Sequence, residues 1–363
     1  MNSEPPILFE HGGDLEKAAL FAGCRPEEIL DFSNLLNPSG APPGLTDYLK
    51  SKLSGAFSHP GSGEPLRRKI AEKTGIAPEQ ILLGAGTTEF VHLLPQVRQV
   101  KRPVILGPTY GDYEPVLRAV GADPRFVLAR ETENWEFPRV EWERALVDHP
   151  DWVILARPNN PLGQNWPMGG LLAAIEKYPE TFFVVDETCL EVSEDPKDSF
   201  WSHPMPANLA VLRSFSKAYA VPGLRLGYLA APTDLVGRLK QARMPWTVSP
   251  LALEAGLYLL DQDKWVVESH QKNLEEKKRV YTKLSALQNF KTFSSAITAF
   301  TMKGLAAGFS SSAFLKTILK EEKILIRSLA QHRGLGDAYF RIGLRTPAEN
   351  DRLLKVLEHR VRS

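Results

Sequence analysis

Three observations predict an α/β fold for this chain: a large domain on a mainly parallel central sheet, followed by a smaller α+β C-terminal domain. Between Pro65 and Ala231, short apolar runs alternate with segments of helical period, as expected for strands covered by helices on both faces. Beyond about Leu239 the pattern changes to long helices and then to short strands alternating with helices, which reads as a second, smaller layer. Polar or aromatic residues follow five of the apolar runs, and ligands of such sheets bind beyond the carboxyl ends of the strands.

Taken in order, residues 1–45 read as an arm lying across the body. They hold His11-Gly12-Gly13-Asp14, a helical stretch at 15–21 and the segment Leu30-Asp31-Phe32-Ser33-Asn34-Leu35-Leu36-Asn37-Pro38. Dense proline and glycine follow through Gly44. The large domain spans 46–243, with strands predicted at 81–83, 103–106, 152–155, 182–185, 209–212 and 226–229. Its helices are predicted at 65–73, 88–96, 113–120 and 169–177. Residues 244–363 carry helices at 250–260 and 264–287, the second with a charged face suited to i,i+4 pairing. Strands at 299–302, 324–326 and 339–344 and helices at 311–319 and 347–361 complete the small domain.

Composition excludes several classes. With 363 residues, 43% of them hydrophobic and 24% charged, the chain can bury a core and is not disordered. A formal net charge of +1 provides no field for nucleic acid or an anionic membrane, so neither is expected as a partner. The two cysteines, Cys24 and Cys189, lie far apart without metal-ligand spacing, so no metal site or disulfide framework is expected. No leader-like segment or bilayer-length apolar run is present, which gives a soluble cytoplasmic protein as the expectation.

The strand ends carry the chemistry. The run at 209–212 leads into Ser214-Phe215-Ser216-Lys217, with Arg225 beyond it. A lysine crowded by an arginine and partly desolvated has a depressed pKa and can condense with an aldehyde, while the hydroxyls and guanidinium suit a phosphate. Pyridoxal 5'-phosphate carries both groups. Gly84-Ala85-Gly86-Thr87-Thr88 follows another run and opens a helix whose free amides form an anion site. Tyr110 offers a flat face for the pyridine ring, Asp186 a carboxylate for its nitrogen, and Asn160 a donor for its phenolic oxygen. Arg327 and Arg341, in or after C-terminal strands, can meet an anionic substrate bidentately.

This order of residues, with Arg225 eight positions after Lys217, resembles fold-type I pyridoxal-phosphate enzymes of the aspartate aminotransferase superfamily along nearly the whole chain. The resemblance implies that Lys217 carries the cofactor, that Lys217, Asp186 and Tyr110 are catalytic, and that two copies form a homodimer with shared active sites. Within the superfamily, His11-Gly12-Gly13, Leu30-Asp31-Phe32-Ser33, Met244-Pro245-Trp246-Thr247-Val248-Ser249, Arg327 and Arg341 resemble the threonine-phosphate decarboxylases of cobalamin synthesis, close relatives of histidinol-phosphate aminotransferases. That likeness implies decarboxylation of a small phosphorylated amino acid, O-phospho-L-threonine or O-phospho-L-serine, to an amino-alcohol phosphate. His11, Asn160, Arg327 and Arg341 would contact it. Transamination of the histidinol-phosphate kind is the alternative; a binding protein without catalysis is a third, against which the complete lysine, aspartate and arginine set argues. Three positions depart from the pattern. His59 stands where the relatives place an aromatic residue near the partner's cofactor phosphate, Cys189 where many aminotransferases have tyrosine, and Leu35 where the decarboxylases have a polar residue.

Overall fold

In the computed structural model, which describes residues 12–362, the first strand is β1 (Leu30–Asp31). The next seven form one sheet: β2 (Ile81–Gly84), β3 (Pro103–Gly107), β4 (Arg125–Leu128), β5 (Trp152–Ala156), β6 (Phe182–Asp186), β7 (Leu209–Ser214) and β8 (Gly227–Ala230). Their order across the sheet is β2-β8-β7-β6-β5-β3-β4. The continuous apolar runs follow from burial on both faces. Ile105, Ile154, Val184 and Leu212 pack on one side with helices Thr87–Arg98, Tyr113–Ala119 and Thr233–Ala242. Leu106, Leu155, Val185 and Val211 pack on the other with helices Arg139–Val147 and Met168–Lys177.

Two features differ from the sequence expectation. Strand β8 runs antiparallel to both neighbours, because the link from β7 holds only a short turn of 3₁₀ helix and no crossover helix. Strand β4 is an edge strand with an exposed Arg125, so it never formed an unbroken apolar run.

The C-terminal part holds β9 (Phe290–Thr292), β10 (Ala299–Gly304), β11 (Ile324–Leu325), β12 (Arg327–Ser328) and β13 (Tyr339–Gly343). Four of them make an antiparallel sheet in the order β12-β13-β10-β9, and β11 pairs in parallel with β1. The single strand expected at 324–326 is therefore two strands in two sheets. The change of partner is set by backbone bonds from Leu30 to the Lys323 carbonyl and from Phe32 to the Leu325 carbonyl, both 2.8 Å. Phe32 itself enters the core formed by Phe300, Phe340 and Leu357.

Beyond β1 the chain crosses β13 at a glycine. Gly343 donates to the Phe32 carbonyl at 2.8 Å, and a Cβ at that position would stand 1.9 Å from the Asn34 carbonyl oxygen. The obstacle is backbone, so Gly343→Ala should push the segment away and cost about 1–3 kcal/mol, the usual toll of overpacking. Thermal unfolding of the holoenzyme measures it; an unchanged midpoint would contradict this contact. Over the first sheet, the C-terminal sheet is held by Glu131, which accepts from Lys303 at 2.7 Å, from Lys291 at 3.0 Å and from Tyr339. Burial alone would raise the Glu131 pKa, but these three donors bring it down to about 2.

Candidate active site

A cavity of about 250 Å³ opens at the carboxyl ends of the strands. It gathers Gly86, Thr87, Thr88, Tyr110, Asn160, Asp186, Ser214, Ser216, Lys217, Arg225, Arg327 and Arg341, twelve of the residues singled out from sequence. Two others stand differently. His11 lies outside the described residues, although Gly12 reaches the cavity wall. His59 is exposed elsewhere and stacks on Trp246, with ring centroids 4.6 Å apart.

Lys217 is fixed from two sides. At the end of β7, the Ser214 hydroxyl accepts from the Ser216 amide at 3.1 Å, turning the chain. From the arm, Asn37 donates its backbone N–H to the Lys217 carbonyl at 2.9 Å and its side-chain amide to the Ala218 carbonyl at 2.8 Å. Burial lowers the Lys217 pKa below the ordinary lysine value; Arg341 and Arg225 lower it further, opposed by Cys189 and Asp186. Crowding by Arg225 is thus a lesser cause than desolvation. The Cys189 thiol, buried on the same cavity, is pushed up to about 11 by burial.

Asp186 ends β6, and its carboxylate accepts from the Tyr113 hydroxyl at 2.7 Å and from the Thr188 amide at 2.9 Å. Tyr113 was legible only as the first residue of an apolar helix; nothing in its spacing marks it as a donor. Tyr113→Phe should remove about 1 kcal/mol of hydrogen bonding and loosen the carboxylate. A severalfold weaker retention of added cofactor, read by absorbance on dilution, is expected; unaltered retention would show that the Thr188 amide suffices.

At the opposite wall, Gly86 precedes helix Thr87–Arg98 with φ 77° and no side-chain cap, so the first amides of the helix are unspent. A Cβ on Gly86 would stand 2.5 Å from the Arg225 Nη2, so glycine is what lets the guanidinium close on the helix start. Arg225 is exposed in the single chain and lines the cavity mouth.

The third wall comes from the C-terminal sheet and the arm. Arg341 is buried, donating to the Ser33 carbonyl at 2.5 Å and to the Asn160 side-chain oxygen, which leaves the Asn160 amide nitrogen as a donor. Both acceptors are neutral. Burial, reinforced by Arg327, lowers the Arg341 pKa to about 10. Leu35 and Cys189 form an apolar patch beside it, and His332, which sequence reading missed, completes the wall.

The donor set fits a phosphorylated pyridine aldehyde. Unspent amides, hydroxyls and Arg225 suit its phosphate, a carboxylate braced by two donors suits its ring nitrogen, and an amine of lowered pKa suits its aldehyde.

The chain is similar along most of its length to several known proteins. Threonine-phosphate decarboxylase of Salmonella typhimurium is 30% identical over 356 residues, 96% of each chain. The adenosylcobalamin biosynthesis bifunctional protein CobDQ of Leptospira interrogans is 29% identical over 351 residues; these are 96% of this chain, which spans 40% of that protein. Histidinol-phosphate aminotransferase of Akkermansia muciniphila is nearly as similar, 27% identical over 97% of this chain and 95% of its own. Among solved structures, L-threonine-O-3-phosphate decarboxylase from Porphyromonas gingivalis superposes with a TM-score of 0.81 at 26% identity, covering 92% of this chain and 99% of that one. Residues 55–357 match the family Aminotransferase class I and II. The chain belongs to that family, with its fold-type I architecture, and its cofactor is pyridoxal 5'-phosphate.

Proposed function

We propose that the chain decarboxylates a small phosphorylated amino acid, O-phospho-L-threonine first and O-phospho-L-serine next, releasing an amino-alcohol phosphate, as in cobalamin side-chain synthesis. The observation that carries this reading is Arg341, a buried guanidinium whose hydrogen bonds go to neutral oxygens, paired in register with Arg327 and lining the same cavity as Arg225. The cavity therefore has cationic groups for two anions: the cofactor's phosphate at one end and a substrate anion at the other.

When bound, the cofactor supplies an electron sink for charge released at the substrate's α-carbon. Lys217 holds and moves a proton at its Nζ, whose pKa burial lowers from the ordinary lysine value. Asp186 keeps positive charge at the ring nitrogen. Thr87, Thr88, Ser214, Ser216 and Arg225 bind the cofactor phosphate, and Tyr110 covers the ring. Arg327 and Arg341, with His11 and Asn160, hold the substrate's phosphate and so set how its carboxylate is presented. In this reading the arm (1–45) and small domain (244–363) close the substrate end of the large domain (46–243).

A panel of phosphorylated amino acids, assayed for both carbon dioxide and 2-oxo product, tests the proposal. O-phospho-L-threonine should release carbon dioxide, and unphosphorylated threonine should react roughly 10²–10³-fold more slowly, as expected for losing ~3–4 kcal/mol of remote binding. Arg341→Met should lower that discrimination together with the rate. Accumulation of the amine form of the cofactor without carbon dioxide would instead establish an aminotransferase of the histidinol-phosphate kind.

We also infer a cytoplasmic homodimer in which His59 reaches the partner's cofactor phosphate. Support comes from exposed apolar residues around it: Phe57 is 88% exposed, Met244 76% and Trp246 61%. Mixed dimers of Lys217→Ala and His59→Ala subunits should recover activity that neither parent has; none in verified heterodimers would count against a shared site.

A further inference from the structure

We propose that His332 is a third contact of the substrate-anion site, its imidazole binding a dianion beside Arg327 and Arg341 and taking up a proton as the dianion arrives. The proposal rests on the reading that the arginine end of the cavity takes a substrate anion. His332 sits in the turn after β12, held by its amide to the Leu329 carbonyl at 2.9 Å and by its carbonyl to the Leu335 amide at 3.0 Å. It lines the cavity together with both arginines. Its Nδ1 is buried and has no hydrogen-bond partner among the described residues. An imidazole nitrogen left unpaired inside a protein costs free energy, and a ligand that pairs it recovers that cost.

The charges around it explain why a histidine stands there. Burial, then Arg327 and Arg341, lower the His332 pKa to about 3, so the ring is neutral at physiological pH. Other groups border the cavities that His332 lines. Tyr110 lies on the β3 side, its hydroxyl given to Asp112, and Glu114 there is paired with Arg118 and Arg333. Lys316 comes from helix Ser311–Glu322. A third permanent cation beside two half-buried or buried guanidiniums would repel them while the site is empty. A neutral imidazole does not, yet it becomes a charged donor once a dianion cancels the guanidinium field. Binding and proton uptake are then linked, and affinity falls as pH rises.

Sulfate is the probe, because it remains a dianion between about pH 6 and 8 and cannot itself supply the proton change. The holoenzyme, with its cofactor phosphate site filled, is titrated with sulfate by calorimetry in two buffers of different ionisation enthalpy. Absorbance of the bound cofactor is followed in parallel, to count any proton taken at Lys217. Wild type should take up about one proton per sulfate at full linkage, with affinity weakening up to roughly tenfold per pH unit. His332→Gln, or His332→Asn if the first variant does not fold, should bind more weakly at pH 6 and without pH dependence. Binding that needs Arg341 but brings no proton uptake in wild type, or equal uptake in the variant, would overturn the role of His332 and leave the arginine reading standing. Sulfate binding absent in wild type, or undiminished in Arg341→Met, would overturn both.

Discussion

Lys217→Ala enzyme is expected to lose turnover by more than ~10³-fold while remaining folded. General acid–base work by a placed side chain is alone worth ~10²–10⁴-fold, and here the same amine also holds the cofactor. Borohydride treatment of the wild-type holoenzyme, followed by peptide mass spectrometry, should find the reduced cofactor on Lys217. The variant should carry none, though it should still bind cofactor reversibly through Asp186 and the amides at the start of helix Thr87–Arg98. Label on another lysine would remove Lys217 from its assigned role. Folding should survive because Lys217 is held by its backbone carbonyl, which alanine keeps.

Asp186→Ala should be nearly as damaging. Deleting one partner of a buried charge pair costs ~3–5 kcal/mol, a factor of roughly 10²–10³ or more in rate or affinity. It would also orphan the Tyr113 hydroxyl, which is fully enclosed. Asp186→Asn keeps the shape but not the charge: the amide oxygen can still accept from the Thr188 N–H, and the amide NH2 can donate to the Tyr113 hydroxyl, but the side chain cannot keep a proton on the ring nitrogen. Near-native turnover in Asp186→Asn would show that Asp186 positions the cofactor without tuning its electronics.

Most of the cavity was legible because parallel strands buried on both faces must be apolar without interruption, which makes their ends visible as the first polar residue. Asp186, Ser214 and the Gly84–Thr88 turn were found that way. The helix expected at 250–260 does start at Pro250, where the Ser249 hydroxyl accepts from the Ala252 amide. The antiparallel course of β8 was also present in the sequence, in a link too poor in helix to make a parallel crossover, but apolar character alone does not report direction. Tyr113 and His332 were not legible. The Tyr113 hydroxyl meets Asp186 only once distant segments are brought together, and His332 reaches the cavity wall only through the fold; a lone tyrosine in an apolar helix or histidine in a turn has no local pattern that distinguishes donor from filler. The split of β11 from β12 was hidden for the same reason, since the partner of β11 lies in the arm.

The bond from Arg341 to the Ser33 carbonyl joins residues 308 positions apart. At roughly 5–20 residues per second of synthesis, the arm waits on the order of 15–60 s before its partner strand exists. The large sheet, whose strands all lie before residue 231, can meanwhile form and bury its own faces. Until then Asn37 ties the arm to that sheet through the Lys217 loop, beside the apolar packing of Leu35 with Cys189 and Val192. On the ribosome the cofactor end of the cavity is therefore expected to assemble first and the arginine end last, so a chain that stops short of β13 should capture cofactor while lacking the wall that Arg341 supplies.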